Sequence, residues 1–190
     1  MLRKLLVPIL AATALTLVVP MTAQAATLKL VDERGDVHRM AQDGSFVLAP
    51  GERRADILST RIQHTDRAVV VRTRLLDLRR EGRSLGMAMR IRTNAGTYRE
   101  VQLEASRRIG WRGQVSMNSR RRAVECRTTH SIDYAADVLT LRIPSSCLDN
   151  PRWVQLTQVS LFIGGRQFLV DNPHNNRMRI NGWTTRIRRG

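Results

Sequence analysis

Apolar residues recur at every second position in four stretches of this chain, and this period of two constrains the fold more than any other feature. The stretches are 69–75, 87–92, 101–104 and 139–143. A period of two places alternate side chains on opposite faces of a strand, so one face is buried and the other meets solvent. No long segment has the spacing of an amphipathic helix. The solvent-facing positions are repeatedly arginine.

Turn signals separate the alternating stretches. Asn94-Ala95-Gly96 predicts a tight hairpin, and Gly164-Gly165 predicts a two-residue hairpin turn. A further strand is predicted at Val124–Thr128, and a short helical turn at Ser145–Asp149 after Pro144. About ten short strands with frequent turns indicate an all-β fold. We predict an antiparallel β-sandwich of jelly-roll type, with at most short helical turns.

The N-terminus has the three parts of an export signal. Arg3 and Lys4 precede an apolar run at 5–19, and Ala23-Gln24-Ala25 supplies the small residues that signal peptidase requires. The run is shorter than the roughly 20 residues of a membrane-spanning helix. We therefore predict a cleaved signal peptide at 1–25 and one β-sandwich domain at 26–190. The mature protein is expected outside the cytoplasm, secreted or at the cell envelope, without a transmembrane segment.

Cys126 and Cys147 are the only cysteines of the chain. A single pair in an exported protein is expected to form a disulfide. The alternatives are a reactive thiol or a metal site, and neither has the nearby C-x-x-C or clustered histidines that would favour it.

The charge is strongly positive. The chain has 32 basic and 16 acidic residues, and Arg3 and Lys4 are the two basic residues within 1–25, which leaves +14 for residues 26–190. Arginine pairs bidentately with phosphate and carboxylate, so a polyanion-binding surface is one interpretation. Codon bias toward arginine is the other. The candidate polyanion-binding residues lie in two basic clusters, namely Arg120, Arg121, Arg122, Arg186, Arg188 and Arg189.

Acidic residues gather in loops next to predicted strands. Asp32 and Asp36 flank a glycine after the first strand, Asp56 precedes a later one, and Asp171 follows the last. Calcium prefers several such oxygens, so these four aspartates are candidate calcium ligands. Ordinary Asx turns are the alternative interpretation. No other cofactor is expected.

The sequence gives little support for a catalytic site. Residues 82–86 match G-x-S-x-G, but the motif functions on a strand–turn–helix, whereas Met87–Thr93 reads as a strand. Ser84 is therefore not expected to be a nucleophile. The four histidines lack zinc-ligand spacing. We assign no catalytic residue.

Six short segments of the chain carry a resemblance to known domains: Asp32-x-x-Gly35-Asp36, Ala55-Asp56-Ile57, Ile62-x-His64-Thr65, Ile132-Asp133-Tyr134 through Ile143-Pro144, Cys147-Leu148 and Pro151-Arg152-Trp153. They resemble a class of exported, mostly uncharacterised bacterial β-sandwich domains, and are more remotely similar to DOMON-like and family 9 carbohydrate-binding sandwiches. The resemblance implies a fold and a compartment rather than an activity.

Together these features favour a non-enzymatic binding or interaction module of unknown ligand, and the candidate partners of its arginine-rich surface are anionic envelope polymers, lipid headgroups and nucleic acid. Intracellular nucleic acid is not expected as a partner. Two alternatives stay open: an extracellular hydrolase with a site assembled from distant loops, and a carbohydrate-binding module, which needs at least one exposed tryptophan. Trp111, Trp153 and Trp183 are the only tryptophans.

Overall fold

Strands dominate the regular structure of residues 26–120, 122–173 and 182–190, which are the residues that this computed structural model describes. The export signal predicted at 1–25 and Arg121 lie outside them. The strands are β1 (Ala26–Val31), β2 (His38–Met40), β3 (Phe46–Leu48), β4 (Ile57–His64), β5 (Ala68–Leu75), β6 (Ser84–Thr93), β7 (Tyr98–Ser106), β8 (Gly110–Ser119), β9 (Arg122–Ala123), β10 (Thr129–Asp133), β11 (Val138–Pro144), β12 (Trp153–Gly164), β13 (Gln167–Asp171) and β14 (Ile187–Arg188).

The strands form two antiparallel sheets that stack as a sandwich. The smaller sheet has five strands in the order β1-β4-β5-β11-β10. The larger sheet has nine strands in the order β3-β2-β13-β12-β6-β7-β8-β9, with β14 paired to the first residues of β12. The predicted all-β sandwich is confirmed. Among these strands, the chain changes sheet five times: between β1 and β2, β3 and β4, β5 and β6, β9 and β10, and β11 and β12.

The core lies between the sheets and is built by the alternation seen in the sequence. Val69, Val71 and Leu75 of β5 face inward with the apolar positions of β6, β7, β11 and β12. Burying a Val or Leu side chain contributes about 1.5–3 kcal/mol, so the in-phase apolar positions set the strand register. A small polar group also lies in this core: Gln158 Nε2 donates to Thr73 Oγ1 over 2.7 Å and to Thr60 Oγ1 over 3.3 Å.

Two local predictions need correction. Val124–Thr128 is not a strand; it connects β9 in one sheet to β10 in the other. The turn between β12 and β13 is Gly165-Arg166 and not Gly164-Gly165, because Gly164 is still paired with Gln167. Gly165 adopts a φ of +57°, which is the backbone conformation that this tight turn requires.

The Cys126–Cys147 disulfide is present, with the two Cα atoms 5.9 Å apart. Cys147 lies in a 3₁₀ turn at Ser145–Leu148, directly after β11, where a short helical turn was predicted. Cys126 lies in the connection between the two sheets. The bridge therefore fastens a crossing of the chain to the end of the smaller sheet.

The described part of the chain contains no helix that is long and apolar enough to cross a membrane.

Candidate functional site

Four aspartates from distant parts of the chain meet at one corner of the sandwich. Asp32 follows the last residue of β1, and Asp36 precedes β2. Asp56 comes immediately before β4, and Asp171 is the last residue of β13. The corner thus lies where two of the chain's passages between the sheets meet, from β1 to β2 and from β3 to β4. All four candidate metal ligands named from the sequence lie in this region.

The distances between the carboxylates fit a cation. One oxygen each of Asp32, Asp36 and Asp171 lies within 4.8 Å of the others. Calcium binds oxygen at 2.3–2.6 Å, so two ligands on opposite sides of the ion are about 4.8 Å apart. Asp56 joins the group through the loop, because its Oδ2 accepts the Gly35 N–H at 2.9 Å.

Backbone geometry holds the loop of Asp32 and Asp36 in place. Gly35 has a φ of +80°, and a Cβ there would lie 3.1 Å from the carbonyl oxygen of Pro50. Both the left-handed conformation and the close approach favour glycine. The Asp32 N–H also donates to the Leu58 carbonyl at 3.2 Å. The first two ligands are therefore presented by a turn that is tied to β4.

Several carboxylate oxygens at this corner have no partner. Asp36 and Asp56 are 5% and 0% exposed, yet both oxygens of Asp36 and one of Asp56 accept no hydrogen bond. Oδ2 of Asp32 is also buried without a partner. Leaving a buried polar atom unsatisfied costs about 1–3 kcal/mol, and more for a charged group. Asp171 differs, since it accepts N–H groups from Ile57 and Asn172, both over 2.7 Å.

The electrostatics of the corner disfavour four free carboxylates. Burial, with the Asp36 carboxylate as the next contribution, raises the pKa of Asp32 to about 7. Burial raises the pKa of Asp171 to about 8, and the charges of Asp32 and Asp36 add to the rise. Burial also raises the pKa values of Asp36 and Asp56. Within the described residues, no arginine, lysine or histidine forms an ion pair with these aspartates.

A second charged feature is the outer face of the five-stranded sheet. Lys29, Arg61 and Arg72 lie directly opposite one another on β1, β4 and β5. Arg74 follows on the same face of β5, and Arg142 lies on the same face of β11. We call these five residues the basic face. Strands are spaced by about 4.8 Å, so the row from Lys29 to Arg72 spans about 10 Å.

The basic face has no counter-ions among the described residues. All five side chains are exposed, and none forms an ion pair, hydrogen bond or aromatic contact. The one carboxylate on the same face, Asp133, lies on the edge strand β10 and accepts the N–H groups of Ala135 and Ala136. Like charges directly opposite each other on a sheet are destabilising. The pairing of β1, β4 and β5 therefore keeps these cations close together despite their mutual repulsion.

The two arginine clusters named from the sequence do not meet. Arg120 and Arg122 border the β8–β9 turn, and Arg121 lies outside the described residues. Arg186, Arg188 and Arg189 lie on or beside β14, where Arg189 Nε is 3.7 Å from Asp66 Oδ1. From β9 to β14 the sheet order crosses five strand spacings, or about 24 Å. The basic face was not singled out from the sequence, although the arginines at its alternating positions were the available signal.

The outer face of the larger sheet carries a shallow groove of about 290 Å³. Polar and apolar side chains both line it: Arg90, Glu100, Gln102 and Asn118 are among the polar ones, and Ala88, Val101 and Val159 are among the apolar ones. None of its lining residues is a tryptophan. Trp111 packs against the core, Arg186 lies over the ring of Trp153 at 4.6 Å, and Arg92 lies over that of Trp183 at 4.4 Å. The groove therefore offers hydrogen-bonding groups without a free indole face.

The positions considered for catalysis have structural surroundings. Ser84 is buried at the start of β6, paired with Ser106 and Ile163, and so lies on a strand rather than on a nucleophile elbow. His64 is fully buried, and its Nδ1–H donates to the Ile187 carbonyl at 3.0 Å. The contact ties β14 to the end of β4.

No family model, curated protein or solved structure matches this chain.

Proposed function

We propose that this protein is an exported, non-enzymatic binding module that attaches to an anionic polymer of the cell envelope through its basic face. The observation that carries the proposal is the row of Lys29, Arg61 and Arg72, placed side by side with no counter-ion. An anionic polymer lying along the row would place negative charges next to the three cations, which have no counter-ion in the protein. The guanidinium fork suits phosphate and carboxylate groups because it pairs with them bidentately.

The position of the face supports a linear partner. The sheet surface is open, and the five cations extend both across the strands and along them, since Arg74 lies two residues from Arg72. The disulfide fits an oxidising compartment. Four of the 16 acidic residues of the chain are gathered at the aspartate corner, which leaves the rest of the surface more basic.

The test is binding of long-chain inorganic polyphosphate to the disulfide-bonded protein at several salt concentrations. Five neutralised charges on a flexible polyanion predict a loss of affinity of about 100-fold between roughly 50 and 200 mM salt. Arg61→Gln with Arg72→Gln should weaken binding at least tenfold. Arg107→Gln with Arg108→Gln is the matched control, because both residues are exposed in the β7–β8 turn and the loss of charge is equal.

Three results would contradict the proposal. One is equal binding by the two double variants, and another is binding that does not change with salt. The third is binding to anionic phospholipid vesicles without binding to polyphosphate, which would replace the polymer with a membrane surface. Variants at Arg120 with Arg122, and at Arg186 with Arg188, measure the separate contributions of the two other basic clusters.

Carbohydrate binding in the groove of the larger sheet is the second candidate. Its supporting observation is the set of hydrogen-bonding side chains that line the groove, including Gln102 and Asn118. Neutral oligosaccharides in the same assay distinguish the two. Salt-independent sugar binding that survives in the Arg61→Gln, Arg72→Gln protein, and is lost in Gln102→Ala, would favour this candidate.

A further inference from the structure

The aspartate corner has the composition of a cation site, and it does not overlap with the basic face. Its ligands come from both sheets: Asp32 and Asp56 adjoin β1 and β4 of the smaller sheet, whereas Asp36 and Asp171 adjoin β2 and β13 of the larger one. Any ion bound here would connect the two layers of the sandwich.

Two independent observations point to a ligand at this corner. The first is the clustering of three carboxylate oxygens within 4.8 Å of one another. The second is that the Asp36 side chain is 5% exposed with neither oxygen hydrogen-bonded. An ordinary Asx turn does not account for this, because in an Asx turn the carboxylate accepts a backbone N–H. Neither oxygen of Asp36 has a hydrogen-bond partner, and one of them lies within 4.8 Å of carboxylate oxygens of Asp32 and Asp171.

We propose that Asp32, Asp36, Asp56 and Asp171 bind one calcium ion that joins the two sheets at the β1–β2 crossing. Calcium fits the ligand set because it accepts six to eight oxygens, in flexible geometry, from carboxylates at 2.3–2.6 Å. The oxygens without partners, on Asp32, Asp36 and Asp56, are the available ligand atoms. Asp171 contributes an oxygen that already accepts a backbone N–H, as a carboxylate oxygen with two lone pairs can.

The alternative is that the corner binds no metal ion, and that some of the four carboxyl groups are protonated and therefore neutral. Burial raises all four pKa values, to about 7 for Asp32 and about 8 for Asp171, so a metal-free corner would carry bound protons at neutral pH. The two cases differ in their response to calcium. A calcium site releases protons when the ion binds, whereas a protonated corner that binds no metal does not respond to calcium.

The experiment titrates calcium chloride into the disulfide-bonded protein, expressed from the full sequence and stripped with EDTA. We expect one ion per chain by calorimetry, with proton release that scales with the ionisation enthalpy of the buffer. At about 100 times the dissociation constant, the melting temperature should rise by about 5–10 °C over the EDTA sample. Magnesium chloride should give a smaller shift, because magnesium demands near-ideal octahedral geometry and keeps its waters.

Asp36→Asn is the decisive variant. It removes a ligand charge but no hydrogen bond, since neither oxygen of Asp36 has a partner. The melting temperature in EDTA should therefore stay level or rise, while calcium affinity falls at least tenfold. Glu125→Gln is the matched control, because it removes one negative charge from an exposed position. Asp32→Asn serves the same purpose if Asp36→Asn does not fold.

Three outcomes would overturn the proposal. They are the absence of a calcium-dependent shift in the parent protein, an equal shift with magnesium, and an unchanged calcium response in both aspartate variants. None of them bears on polyphosphate binding, which depends on the opposite charge and on residues of another surface.

Discussion

At the scale of single residues, the polar groups buried without full hydrogen bonding show where the fold has special requirements. His64 is the clearest case outside the aspartate corner. Its Nδ1–H is satisfied by the Ile187 carbonyl, but Nε2 is buried without a partner. Burial lowers the pKa of His64, and the nearby Arg189 lowers it further, while the Ile187 hydrogen bond and Asp66 act in the opposite direction. The side chain is therefore neutral in the folded protein at neutral pH.

This predicts a loss of stability in acid. Above the ordinary histidine pKa of 6.5 both the folded and unfolded states hold His64 neutral, so its contribution is complete. As the pH falls below 6.5 the unfolded state takes up a proton that the folded state does not. The free energy of unfolding then decreases, by at most about 1.4 kcal/mol per pH unit, until the lowered folded pKa is passed.

Urea denaturation of the parent protein and of His64→Asn, between about pH 5 and 8, measures the effect. Asparagine keeps an N–H donor for Ile187 but does not titrate. The parent protein must be compared with the variant, because the raised carboxyl pKa values at the aspartate corner also change the free energy of unfolding with pH. Their contribution has the opposite sign in the same pH range. Identical pH profiles for the two proteins would show that His64 does not carry the dependence; His130→Asn is the control.

The sequence was sufficient to predict candidate ligand residues, but not to predict which residues lie next to them in the fold. Asp32, Asp36, Asp56 and Asp171 were predicted as ligands because loops rich in carboxylates stand out. The approach of Asp171 to the other three depends on pairing between β12, β13 and β2, which brings together residues far apart in the chain. Gln158 was not recognised, because it occupies an inward position of β12 that the local pattern cannot distinguish from the polar outward positions.

At the scale of elements, alternation predicted the long strands and failed where strands were short or covalently constrained. β5 is observed at Ala68–Leu75 and includes the alternating stretch 69–75 from which a strand was predicted. β2 and β3 have three residues each, too few to show a period. Val124–Thr128 was predicted as a strand and is not one. The disulfide holds this segment at the crossing between sheets, where the Val124 N–H still donates to the Met117 carbonyl of β8 at 2.9 Å but residues 124–128 belong to no strand.

The disulfide connection gives a prediction about stability. It closes a loop with a sequence separation of 21, for which the chain-entropy model gives about 3 kcal/mol. Cys126→Ser with Cys147→Ser should lower the free energy of unfolding by this amount. Denaturation of the parent protein in a reducing agent should give the same value as the double variant. A free energy unchanged by reduction would show that the fold does not depend on the bridge.

The basic face shows why contiguous clusters are a poor guide to charged surfaces in β proteins. Arg61 and Arg72 are 11 positions apart in the chain but directly opposite in the sheet. Arg120 and Arg188, by contrast, belong to compact basic clusters in the sequence and lie on strands or turns that are distant from each other. Pairing register, which the sequence alone did not provide, determines which arginines share a surface.

At the scale of the whole molecule, the charge of +14 over residues 26–190 opposes folding. Like charges at low ionic strength repel each other, and salt screens exposed charges beyond about 10 Å at 0.1 M. We expect added sodium chloride to raise the melting temperature, by about 2–4 °C for each kcal/mol of repulsion removed.

The dependence of the melting temperature on sodium chloride also shows which residues cause the repulsion. Arg61→Gln with Arg72→Gln should reduce the salt dependence more than Arg107→Gln with Arg108→Gln, because only the first pair is aligned across strands with a third cation, Lys29. Equal salt dependence in the two double variants would mean that net charge, and not the alignment, sets the effect. Calcium should be kept constant throughout.

The disulfide lies beyond the end of the smaller sheet at which β11 finishes, and the aspartate corner lies at the other end, where β4 begins. Eight residues of β5 separate these two ends, or about 26 Å. The proposed export and the proposed calcium site together have a consequence for timing. In a reducing compartment with little free calcium, neither the disulfide nor the calcium site would form, so both ends of the sandwich would lack their cross-links before translocation. Under the same two proposals, an oxidising, calcium-rich compartment would allow both cross-links to form and would stabilise the folded state only after export.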